Sequence, residues 1–72
     1  LDLLLFKNGK RIGVECKRMD APRFTPSMKT ALESLNLDEL YVLYPGKKAY
    51  PLRDGVEVMP LVDLAQEDFS VT

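Results

Sequence analysis

The 72-residue sequence has no histidine and a single cysteine, Cys16. Without histidine, a Ser-His-Asp triad and any mixed Cys/His zinc site are excluded. One thiol cannot close an internal disulfide, and it fits a reducing compartment. No apolar run approaches the roughly 20 residues of a membrane-spanning helix. No secretory signal pattern is visible either, so a cytoplasmic location and no membrane partner are expected. Internal repeats and low-complexity segments are also absent. What is present is an ordinary globular composition, 46% apolar, which argues against disorder.

Such a length makes one small domain at most, with a core that is marginal without support. The first residues already read as an apolar strand, with no cap or turn before them. The expectation is a piece of a longer protein, one that forms a homodimer to cover its open edges. The net charge of −1 hides an asymmetry. Residues 1–29 carry seven basic and three acidic groups, net +4, and residues 30–72 carry three basic and eight acidic, net −5. A polyanion such as DNA is an expected partner of the basic half. A solvated surface with unevenly placed charges is the plainer alternative.

Asn8-Gly9 between apolar runs is a strong hairpin signal of the type I′ class. Pairing Lys7 with Lys10 sets the register: Phe6 faces Arg11, Leu4 faces Gly13, and Asp2 faces Glu15. Directly opposed residues share a side of the sheet, and Lys17, two residues past Glu15, shares it too. Residues 2–7 are nearly all apolar and read as a central strand. Residues 11–18 alternate, with Ile12, Val14 and Cys16 on one face and Arg11, Gly13, Glu15 and Lys17 on the other. The Cys16 side chain is therefore expected in the core.

Thr25 reads as an N-cap and Pro26 as the first helical residue. Met28, Ala31, Leu32 and Leu35 follow at helical spacing, one apolar stripe facing the core. That helix ends near Asn36. Tyr41-Val42-Leu43-Tyr44 reads as a buried strand closed by Pro45-Gly46. Strand, helix and strand form a right-handed βαβ crossover, so strands 11–18 and 39–44 are expected to be parallel. Residues 48–52 extend briefly as an edge marked by Pro51. Arg53-Asp54-Gly55 turns, residues 56–59 form a last strand, and 61–65 make a helical turn. The expected domain is 1–65, with a frayed tail at 66–72.

Two carboxylates and an ammonium at one end of a hairpin suggest cation chemistry. Mg²⁺ takes oxygen ligands, often one or two carboxylates with phosphate and water. Asp2, Glu15 and the main-chain carbonyl of Cys16 would supply them. Bound metal would activate a coordinated water, and Lys17 would orient it or neutralise charge on a scissile phosphate. The alternative is an exposed, salt-bridged cluster on a sheet face. Arg18, Arg23 and Lys29 are candidate phosphate contacts, with solvated charge as the alternative for each. Gly46-Lys47-Lys48 lacks the upstream glycine and following Ser or Thr of a P-loop.

A strand bearing Asp2, a hairpin, Glu15-Cys16-Lys17 on the next strand, then helix and strand, resembles the PD-(D/E)XK nuclease superfamily. The resemblance implies an α/β fold with a mixed, restriction-endonuclease-like sheet, here N-terminally truncated by its first helix and strand. It also implies a metal-dependent endonuclease, with Asp2 and Glu15 binding Mg²⁺ or Mn²⁺ and Lys17 assisting hydrolysis of DNA. The run from Gly9 to Gly46, GKRIGVECKRMDAPRFTPSMKTALESLNLDELYVLYPG, is similar to the C-terminal domain of uncharacterised bacterial AAA+-type ATPases. That likeness implies an ATPase domain upstream. A catalytically inactive module for DNA or protein interaction, or for self-association, is the other function such tails imply.

Overall fold

The computed structural model describes the backbone of residues 1–66 and side chains through Asp63. The expected tail, 66–72, therefore lies almost wholly outside the described residues. The elements run β1 (Leu3–Lys7), β2 (Lys10–Cys16), α1 (Pro26–Ser34), β3 (Glu39–Tyr44), β4 (Tyr50–Arg53) and β5 (Val56–Pro60), then a 3₁₀ turn, Leu61–Gln66. The strands form one mixed sheet in the order β1-β2-β3-β5-β4. A hairpin followed by a βαβ crossover is the restriction-endonuclease-like arrangement.

The hairpin register follows from its turn. Asn8 and Gly9 both take positive φ, 52° and 78°, as a type I′ turn requires. Lys7 then pairs with Lys10, and the ladder continues through Phe6–Arg11, Leu5–Ile12 and Leu4–Gly13 to Leu3–Val14. β2 and β3 are parallel, with Glu15 beside Val42 and Cys16 beside Leu43. β3 and β5 are also parallel, and β4 folds back antiparallel on β5 with a register irregularity between Pro51 and Arg53.

Helix α1 begins where its cap permits. The Thr25 hydroxyl accepts the Met28 N–H at 3.2 Å, satisfying one orphan donor of the first turn. At the other end Asn36 adopts φ 52°. Its N–H donates to Glu33 O at 3.3 Å, and the Leu37 N–H donates to Leu32 O at 2.9 Å. These are the two bonds of a Schellman stop. The Arg11 side chain clips this end to the sheet: its Nε donates to Leu35 O at 2.8 Å, a cation on the helix's negative pole. Backbone and side chain of Asp38 hold the same residue, with Arg11 N–H on Asp38 Oδ2 at 2.8 Å and Asp38 N–H on Arg11 O at 2.8 Å.

Alternation along the strands makes two apolar layers. Met28 of α1 packs with Leu40, Val42, Tyr44, Val56 and Val58 on one face. Leu5, Ile12, Val14, Leu43 and Met59 cluster on the other. Fully burying one such side chain is worth roughly 1.5–3 kcal/mol.

Two expectations are corrected here. Among the described residues β1 lies at the edge of the sheet, not at its centre. Its apolar content is partly exposed, with Leu3 and Phe6 both 43% accessible. Cys16 is exposed rather than in the core, at the last position of β2. The sheet's edges also differ. β4 carries Pro51 and a register irregularity, both of which obstruct further pairing. β1 pairs regularly along its whole length and has neither device.

Candidate functional site

The site expected from the sequence lies at the C-terminal end of β2. Glu15 is nine-tenths buried, because its register partner Val42 belongs to the helix-side apolar layer. The Lys17 Nζ lies 3.0 Å from Glu15 Oε2. Oε2 is buried, with the Lys17 ammonium as its partner. The α-ammonium of Leu1 lies 3.9 Å from Oε1. A longer chain would carry an uncharged amide at that position, leaving Lys17 as the cation beside Glu15. The Lys17 backbone N–H donates to Leu43 O at 2.8 Å, which anchors the residue to β3.

Asp2 has a different neighbour. Its carboxylate Oδ2 accepts the Cys16 N–H at 2.7 Å, and its own N–H donates to Val14 O at 3.1 Å. With Lys7–Lys10 as the hydrogen-bonded pair closing the turn, the ladder's alternation would hand the Cys16 N–H to the Leu1 carbonyl. The Asp2 side chain replaces that carbonyl and finishes the hairpin. Glu15 and Lys17 are thus brought into contact, while the Asp2 carboxylate is turned onto the backbone.

One carboxylate holds a backbone N–H and the other an ammonium, and no group of three or more His, Cys, Asp or Glu placed to hold a metal ion occurs among the described residues.

Several basic residues have partners within the fold. Arg11 is engaged at the helix end, Lys10 lies 3.7 Å from Glu39 Oε1, and Lys17 faces Glu15. Arg18, Arg23 and Lys29, the three candidate phosphate contacts, are exposed. The structural use of Arg11 and Asp38 was not read from the sequence. A basic residue pairing across from the turn after a helix was the available signal.

The tyrosines are held in place by packing and hydrogen bonds. Tyr44 and Tyr50 meet edge to face, with ring centroids 6.1 Å apart and planes at 85°. The Tyr44 hydroxyl donates to Lys48 O at 2.7 Å and accepts the Lys48 N–H at 3.1 Å. The Tyr50 hydroxyl donates to Pro22 O at 2.8 Å. Burial, and then the neighbouring Tyr44, hold the Tyr50 phenol above its ordinary range. No helix among the described residues is long and apolar enough to cross a membrane.

Comparison with known proteins gives a family without an assigned activity. The uncharacterized proteins Mb2031c of Mycobacterium bovis and Rv2008c of Mycobacterium tuberculosis are each 40% identical over 60 residues. Those residues cover 83% of this chain but 14% of each relative, so the chain corresponds to a small part of their length. No solved structure matches the chain at a significant level. The family model "Domain of unknown function (DUF4143)" matches residues 1–64, and the chain belongs to that family.

Proposed function

We propose that this chain is a nuclease-fold module that binds nucleic acid without cleaving it. The observation that carries the reading is the Asp2 carboxylate, which serves as the hydrogen-bond acceptor that ends the hairpin. Glu15 is left with an ammonium as its partner rather than a second ligating carboxylate. The exposed Arg18, Arg23 and Lys29 supply phosphate contacts once Lys10, Arg11 and Lys17 are accounted for within the fold. Binding through them is electrostatic and weakens with salt as counterions are released. Each of Arg18→Ala, Arg23→Ala and Lys29→Ala should reduce the slope of log affinity against log salt by about 1. A slope unchanged in all three removes the interface.

The second reading is metal-dependent phosphodiester hydrolysis with Mg²⁺ or Mn²⁺, using Asp2, Glu15 and Lys17. The buried Glu15 carboxylate beside the Lys17 ammonium favours it. It requires Asp2 to leave the Cys16 N–H, and it predicts metal-dependent nicking that Glu15→Gln abolishes.

Two further proposals concern partners. In the full-length protein an ATPase domain precedes the module, which then serves as its nucleic-acid anchor. The unobstructed β1 edge, with Leu3 and Phe6 exposed, supports pairing of β1 with a second copy. Sedimentation velocity should then show a dimer that Leu3→Lys dissociates, and a monomeric parent chain ends that proposal.

A further inference from the structure

We infer that β1 pairs antiparallel with β1 of a second copy about a two-fold axis at Leu5, which sets Lys7 of each copy beside the Asp2 end of the other. This rests on the self-association proposal above and adds its orientation, its register and its consequence for the candidate site. Four consecutive apolar residues, Leu3 to Phe6, make up most of β1, and no strand lies beyond it among the described residues. Edge strands are ordinarily guarded by charge, proline or a bulge. The Leu3–Phe6 stretch has none of these, whereas β4, at the other edge, has Pro51 and a register irregularity. Association through β1 therefore closes at two copies, with a guarded β4 at each outer edge, rather than running on as a filament.

Hydrogen-bond parity narrows the register. With Lys7–Lys10 as the hydrogen-bonded pair at the turn, Leu3, Leu5 and Lys7 direct their N–H and C=O groups toward β2, and Leu4 and Phe6 direct theirs outward. Outward groups can bond only to outward groups of the second copy. Pairing Leu4 with Phe6 in both directions uses all of them. Pairing Leu4 with Leu4 instead leaves Phe6 opposite Asp2, whose N–H is already on Val14 O at 3.1 Å. The favoured register thus sets Leu5 against Leu5, Phe6 against Leu4 and Lys7 against Leu3. It covers Leu3 and Phe6, each 43% accessible in the single chain. The Arg11 guanidinium, 5.4 Å from the Phe6 ring centroid, steadies that ring as a surface for the second copy's Leu4.

Charge favours the same orientation. Asp2 precedes β1 and Lys7 ends it. A parallel, in-register alignment sets Lys7 beside Lys7, and directly opposed like charges are destabilising. The antiparallel alignment brings each Lys7 to the end of the sheet edge that carries Asp2. Asp2 finishes the hairpin there through the Cys16 N–H, next to the Glu15–Lys17 pair. Each copy therefore contributes a cation at the border of the other's candidate site, and the two sites lie on one continuous sheet.

Interchain disulfides read this register. In a Cys16→Ser background, Leu3→Cys and Lys7→Cys chains are mixed in equal amounts, oxidised with glutathione, and the covalent dimers identified by mass. Leu3 and the opposing Lys7 form a non-hydrogen-bonded pair with Cα atoms about 4.5 Å apart, within disulfide reach. Two Leu3 positions are offset by four residues, roughly 13 Å along the strands, and cannot be bridged. The mixed dimer should exceed either self-linked dimer by about tenfold, with circular dichroism showing both variants folded. Sedimentation velocity of the 72-residue chain should show concentration-dependent dimerisation, weak because the strip falls short of the roughly 800 Å² per partner of a standard interface. A dimer in which the self-linked species equals or exceeds the mixed one overturns the register and leaves self-association standing. A monomer at every attainable concentration overturns both, and leaves the β1 edge to another segment of the longer protein.

Discussion

Asp2→Ala separates two accounts of the same carboxylate by the sign of its effect. If Asp2 finishes the hairpin, its removal frees the Cys16 N–H and destabilises the chain. Hydrogen bonds to charged groups contribute roughly 1.5–3 kcal/mol. Asp2 is exposed and water can take over the freed N–H, so about 1 kcal/mol is expected. A chain of this size has a urea slope near 1 kcal/mol/M, so the unfolding midpoint should fall by about 1 M. Asp2→Asn keeps an oxygen acceptor on a side chain of the same length and should lower the midpoint by less than half as much. If Asp2 instead opposes Glu15 as one of two like-charged metal ligands, removing it relieves repulsion in the metal-free chain. Urea denaturation with a chelator present, followed by circular dichroism, decides between them. An Asp2→Ala midpoint equal to or above the parent's refutes the hairpin-cap reasoning.

Two further outcomes follow from the tyrosine cluster. A Cβ added at Gly46 would overlap the Tyr44 ring, which its bonds to Lys48 hold in place. Gly46→Ala should cost about 1–3 kcal/mol and lower the melting temperature by several degrees, and an unchanged melting curve would show that the ring moves aside freely. For Tyr50, folding raises the phenol above its ordinary value of 10.0. Its contribution is therefore fully present below about pH 10 and is lost as pH rises through the folded value. Tyr50→Phe should be less stable than the parent at neutral pH, through loss of the bond to Pro22, and the two should converge in alkali; parallel pH curves would contradict this.

Much of the fold was legible because a few residues have narrow conformational choices. Asn8-Gly9 set the turn, the turn set the β1–β2 register, and the register put Glu15 and Lys17 on one face. Thr25-Pro26 marked the start of α1 by the same logic. Other features depend on neighbours that the sequence does not order. An apolar strand reads alike at the centre or the edge of a sheet, so β1 was misplaced. Cys16 has the parity of a core residue, but it occupies the last position of β2 and is exposed there. The regular ladder ends at Leu3–Val14, one step short of Asp2 and Glu15. A short carboxylate near a strand end can replace a main-chain acceptor, and Asp2 does so. Arg11 looked like one more surface charge until the end of α1 was placed against it.

The central claim is binding without cleavage, and one gel reads both. Supercoiled plasmid is incubated with the 72-residue chain across Mn²⁺ concentrations and run at low and moderate salt. The account predicts retarded DNA that salt releases, with no metal-dependent nicking in the chain or its Glu15→Gln variant. Nicking that requires Mn²⁺ and disappears in Glu15→Gln would contradict it and establish the hydrolytic reading instead.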